Sequence, residues 1–204
     1  MFDRSRAFIY VCAPLEEVLA AQSSWLRRFG YRPRATPLPA GYQGTSGVEL
    51  RELIVRESTA AEGFHTLAVE DVQNVLFFAY ALSQAMPKAA VLVSRAYKYG
   101  DWCFKAYLDR DCLVKVGDDP DHELSWLTLP LTPDRVAEVA GKLAPRNAAF
   151  ERFLGSVAKG QAEPEALRSA LELPPLTEGF AELRDRGSAG RYVLFVASDS
   201  PLWR

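Results

Sequence analysis

The chain has 204 residues, 49% of them hydrophobic and 25% charged, with 24 Lys plus Arg against 26 Asp plus Glu. A globular chain of this length buries roughly 70% of the surface its unfolded form exposes, so it needs no metal or disulfide staple. The near balance of charge argues against a general nucleic-acid-binding surface. No stretch approaches the ~20 apolar residues of a membrane span, and the charged opening Met1–Arg6 leads into an apolar run too short to read as a targeting segment.

The three cysteines, Cys12, Cys103 and Cys112, are odd in number and widely spaced. They read as free thiols in a reducing compartment, which makes the cytoplasm the expected location.

Ala7–Cys12 is a β-rich apolar run suited to a central strand. After Pro14, the spacing of Leu15, Val18, Leu19, Gln22, Trp25, Leu26 and Phe29 predicts an amphipathic helix, with Gln22 the one polar residue on its stripe. Glu16 and Glu17 at its start and Arg27 and Arg28 at its end match the helix dipole, and Gly30 stops it. Residues 31–47 read as a loop rich in proline and glycine, and 48–57 as a bulged strand with helix as the alternative. Phe64–Val69 is a further strand. The helix after Asp71 has a broad apolar face, and Phe77 and Phe78 extend it almost all round, which predicts deep burial.

A meander follows, with strands at 89–96, 102–108 and 112–116, turns at Tyr99-Gly100-Asp101 and Asp109-Arg110-Asp111, and a further strand at 124–129. Alternation puts Trp102, Phe104, Ala106 and Leu108 on one face of the middle strand, and Cys103, Lys105 and Tyr107 on the other. Thr132-Pro133-Asp134 is a helix start, with Val136, Val139, Ala140 and Leu143 as the buried stripe. Helices around 149–157 and 166–171 follow, and Arg191–Val196 is the last strand. Strands, hairpins and helices in this order predict an α+β protein with a mixed, mainly antiparallel sheet. Its first half is ferredoxin-like, with two helices on one sheet face, and its second half carries a helical segment. The expected division is an α+β core over 1–130 and a helical extension over 131–204 whose final strand returns to the core.

Motifs of chemistry are sparse. The glycine-rich stretch Gly41–Gly47 lacks the Lys-Ser/Thr ending of a P-loop, and no G-x-S-x-G elbow occurs. The two histidines, His65 and His122, are far apart, and no C-x-x-C is present. His65 with Cys103 or Cys112 is the available Cys–His pair, but their places in apolar strands point to core packing. No catalytic residue, metal ligand or cofactor is therefore assigned.

The most distinctive surface feature is Asp118-Asp119-Pro120-Asp121-His122-Glu123, an acidic segment suited to docking on a basic partner surface. A solvated loop is the plainer reading. Tyr97 and Tyr99 stand near it as aromatic anchors. With Arg95, Lys98 and Trp102 they could also stack nucleobases, a reading the balanced charge disfavours. Arg27, Arg28, Arg32 and Arg34 form a basic group able to hold an anion, with helix-end solvation the plainer reading for the first two. The expectation is a non-catalytic protein-binding module, of the kind represented by bacterial toxin-neutralising (immunity) factors or regulatory subunits. Asp118, Asp119, Asp121, Glu123, Tyr97 and Tyr99 would meet the partner. The alternative is a small enzyme or ligand-binding domain holding an anionic substrate near the 31–47 loop.

Overall fold

The computed structural model describes residues 6–34, 50–56, 63–69, 75–96, 102–117, 131–161, 164–173 and 191–197. Eight strands form one sheet: β1 (Arg6–Cys12), β2 (Tyr31–Arg34), β3 (Leu50–Arg56), β4 (Phe64–Val69), β5 (Ala90–Ala96), β6 (Trp102–Leu108), β7 (Asp111–Val116) and β8 (Arg191–Ala197). The strand order is β2-β8-β3-β4-β1-β5-β6-β7, and every neighbouring pair is antiparallel. Among the described residues, five helices flank it: α1 (Leu15–Arg28), α2 (Val75–Ala85), α3 (Val136–Leu143), α4 (Ala148–Ala158) and α5 (Pro164–Ala170).

The α+β expectation holds. Within the sheet, the run β3-β4-β1-β5 is the strand order of a β-α-β-β-α-β unit, with α1 and α2 together on one face. Residues 50–56 pair with strands on both sides, so the helical alternative for this stretch is excluded. Tyr31–Arg34, expected as loop, instead pairs with β8. That partner comes from the far end of the chain, and no local pattern announces it.

Alternation along β1 divides the interior in two. Phe8 and Tyr10 point to one side, where Phe64, Leu92, Phe104 and Val114 meet Val139, Leu143, Phe150, Leu154 and Leu167 of α3, α4 and α5. Ala7, Ile9 and Val11 point to the other, where Leu67, Val93 and Cys103 meet Val18, Leu26, Val75, Phe78 and Leu82 of α1 and α2. The result is a three-layer arrangement with an antiparallel sheet in the middle.

Thr132 makes no side-chain cap. Pro133–Arg135 form a short 3-10 turn, and α3 begins only at Val136. Asn147 does more. Its Oδ1 accepts from the Phe150 amide at 2.8 Å, and its Nδ2 donates to the Ala170 carbonyl at 2.9 Å. One buried side chain thus caps α4 and ties it to the end of α5.

The β6–β7 hairpin turns on Asp109 and Arg110, at φ 53° and 72°. Positive φ at both central residues is the type I′ pattern, which favours Asn-Gly. Gly117, at φ 82°, ends β7 where a Cβ would collide with the Trp102 carbonyl oxygen.

Two outcomes are expected in thermal or denaturant unfolding. Asn147→Ala removes a helix cap and a buried inter-helix bond, and should lower stability by about 2 kcal/mol. Arg110→Gly relieves a left-handed residue and should raise stability by roughly 1 kcal/mol.

Candidate functional site

The basic group expected around the end of α1 is divided between that helix and β2. Arg27 and Arg28 are exposed on the last turn of α1. Tyr31 is buried under the α1–α2 layer, so alternation directs the exposed Arg32 to the opposite side of the sheet. Arg34 lies in β2 with its backbone paired to Leu194. The rest of the 31–47 loop, residues 35–47, lies outside the described residues, as do Asp118, Asp119, Asp121, Glu123, His122, Tyr97 and Tyr99.

The histidine and cysteines are spread over the sheet. His65 faces the α1–α2 layer from β4, with its ring half-buried and its Nδ1 buried without a hydrogen-bond partner. Cys103 lies three strands away on β6 and Cys112 four away on β7, which at about 4.8 Å per strand is roughly 14 Å or more. Neither thiol reaches the imidazole. Cys12 packs on the opposite face. Among the described residues, no group of three or more His, Cys, Asp or Glu is placed to hold a metal ion.

The aromatic-basic mixture near the meander is likewise divided by the pleat. Trp102 lies against Phe104 and Phe153 on the α3–α5 side, where its Nε1 donates to Ser94 Oγ at 3.1 Å. Arg95 alternates to the other face and is buried beside Cys103. These two residues form no common stacking platform. Lys105, also buried, sits directly opposite Lys115 on the same face. Arg95 and Lys105 are both engaged by neighbouring groups.

A third buried cation, Arg168 of α5, escapes sequence reasoning. Its guanidinium lies 5.8 Å from the Phe8 ring centroid and 5.7 Å from that of Tyr10, and donates to the Tyr10 hydroxyl at 3.5 Å. Its sequence neighbours Leu167 and Leu171 are buried with it, which is the available signal. The contact fastens α5 to the central strand by cation–π attraction.

Among the described residues, both edges of the sheet are blunted. β2 is four residues long and contains Pro33, which has no amide to offer. In β7, Cys112 opposes Tyr107 and Val114 opposes Ala106, so Leu113 is an extra residue and the strand is bulged. Lys115 adds a charge on the same strand. These are the devices that prevent strand addition at an edge.

The outer faces of the helices then decide where a partner could sit. The α3–α4 side is ordinary solvated surface. Glu138 and Lys142 pair at 2.6 Å, and this hydrogen bond, then the lysine's charge, holds the Glu138 carboxyl below its usual range. Glu151 and Arg152 are exposed on α4.

The other layer differs. The sequence of α2, VLFFAYALSQA, carries no charged side chain, yet Phe77 is 38% exposed and Tyr80 43%. The expectation of deep burial fails at these two positions, because α2 is covered by the sheet and α1, and among the described residues no further element lies over its outward side. Phe29, just past α1, is 56% exposed. Trp25 bridges the two helices, with ring centroids 4.8 Å from Phe29, 5.3 Å from Phe77 and 5.2 Å from Phe78. Late α1 therefore meets early α2, and the helices run antiparallel. Trp25 and Phe29, assigned from sequence to the buried stripe of α1, belong to its rim. Arg28, three residues on from Trp25, is the adjoining position on the surface of α1.

Comparison with protein-family models, curated proteins and solved structures finds no match to this chain. No described helix is long and apolar enough to cross a membrane.

Inside this layer, Gln22 of α1 is 4% exposed and its Oε1 has no hydrogen-bond partner. A buried acceptor left unmade costs more than an apolar group of similar shape. Gln22→Met should raise unfolding stability by about 1 kcal/mol, measured by chemical denaturation.

Proposed function

We propose that the chain is a non-catalytic protein-binding module that makes its contact through the α1–α2 face. One observation carries this reading: a helix without charge turns Phe77 and Tyr80 outward, with Phe77 against Trp25 and Phe29 and with Arg28 at the margin. Aromatic and arginine side chains are the types that dominate binding energy at interfaces. A helix that is apolar all round is otherwise found inside a protein.

The proposed role is that of a cytoplasmic subunit that neutralises or regulates another protein by covering part of its surface. The acidic segment Asp118, Asp119, Asp121 and Glu123, with Tyr97 and Tyr99, provides a second contact of opposite sign in this reading. At that second contact it would steer a basic partner by charge.

The test is capture from native cell extract with chemical crosslinking. Wild type is compared with Phe29→Glu/Phe77→Glu and with Asp118, Asp119, Asp121 and Glu123 all changed to Lys. The aromatic variant should retain its circular dichroism spectrum and lose at least about tenfold in captured partner. Unchanged capture by a folded aromatic variant would overturn the reading of this face. Loss on the acidic variant alone would move the contact to residues 118–123.

A further inference from the structure

The charge pattern of α1 bears on which partner this face fits. At about 100° per residue, Glu17, Ala20, Ser24 and Arg28 share roughly 80° of arc on α1. All four are exposed, while Val18, Leu19 and Leu26 occupy the buried side. The outward stripe is thus acidic at one end, small in the middle and basic at the other. Among the described residues, neither Glu17 nor Arg28 is joined to an opposite charge.

An acidic partner would suit Arg27 and Arg28 and be repelled at Glu17. A basic partner meets the reverse difficulty. A second copy of the same stripe, turned end for end, satisfies both ends at once.

We propose that the α1–α2 face is the isologous interface of a twofold dimer, with α1 antiparallel to α1 of a second copy and Glu17 of each facing Arg28 of the other. This rests on the reading of the face as a protein contact and deepens it by naming the occupant. A twofold interface must be self-complementary, and this one is. Glu17 and Arg28 lie about 16 Å apart along the helix. An axis midway between them sets Ala20 and Ser24 of one copy against Ser24 and Ala20 of the other, and their small side chains let the helices approach closely.

Because α1 and α2 are antiparallel neighbours in one layer, the same axis lays α2 antiparallel on its counterpart. Phe77 and Tyr80 are then covered, and no charge on α2 opposes the contact. The blunted edges β2 and β7 leave this face, rather than strand pairing, to join the copies.

Sedimentation velocity over a concentration series reads the outcome. Wild type should be dimeric at micromolar concentration. Arg28→Glu alone and Glu17→Lys alone should each weaken the dimer at least tenfold, since each variant then carries one sign at both ends. An equimolar mixture of the two variants should recover dimer near the wild-type level, because both contacts are again between opposite charges. Tyr80→Glu, folded by circular dichroism, should be monomeric.

A wild-type chain that stays monomeric at its highest soluble concentration would overturn the twofold assembly. So would a dimer indifferent to both charge variants. If the monomeric chain still captures another protein through Phe29 and Phe77, only the second copy is excluded and the face remains a protein contact. Capture independent of those residues would remove both.

Discussion

Tyr10 points from β1 into one helical layer and Ile9 into the other, and each is 1% exposed. A strand with both faces dry requires cover on both sides, and this requirement organises the rest of the chain. The β-α-β-β-α-β unit supplies cover on one side only, through α1 and α2. The opposite face of β1, β4, β5, β6 and β7 still presents Tyr10, Phe64, Leu92, Phe104 and Val114, and the helices α3 to α5 cover it. Arg168 completes the closure by laying a cation over the Phe8 and Tyr10 rings where an aliphatic side chain could have sat. Truncating it would remove both packing area and the donor to Tyr10.

Much of the architecture was legible in the sequence because it rests on short-range pattern. The alternation of Trp102 to Leu108 places each side chain on its observed face, and the helical stripe of α1 identifies Val18, Leu19, Gln22 and Leu26 as its buried residues. What was not legible depends on distant partners. Tyr31–Arg34 has the composition of a loop and becomes a strand because β8 pairs with it from the other end of the chain. A local reading groups Arg27, Arg28, Arg32 and Arg34 by proximity in sequence. Strand alternation at Tyr31 then sends Arg32 to the far side of the sheet.

The candidate site was illegible for a related reason. Periodicity reports which residues are apolar, but not how many layers cover them. In α2 the pattern is apolar almost all round, and burial of the helix is the natural inference. Among the described residues the helix is an outer layer, so its sheet-facing residues Val75, Phe78, Ala79 and Leu82 are buried while Phe77 and Tyr80 remain in part exposed. Trp25 and Phe29 sit at the margin of the α1 stripe for the same reason. The signal that could have found them is the absence of any charge from α2, in contrast with Glu138, Lys142, Glu151 and Arg152 on the helices of the other layer.

The fold itself does not ask for those outward aromatics. Phe78, Ala79 and Leu82 already hold α2 to the sheet, and among the described residues Phe77 and Tyr80 add ring contacts at its edge, with Trp25, Phe29 and Tyr107. Lysine or glutamate at either position would leave the sheet-facing packing intact and improve solvation of the outer surface. Hydrophobic area kept in contact with water at positions at the edge of the packing is therefore better accounted for by a second surface than by the interior. The same reasoning applies along α1. Complementing the helix dipole requires acid near the start and base near the end, but it does not require that Glu17 and Arg28 share one outward stripe with only Ala20 and Ser24 between them. Under the proposed twofold axis, that placement and the aromatic exposure on α2 become two consequences of one contact.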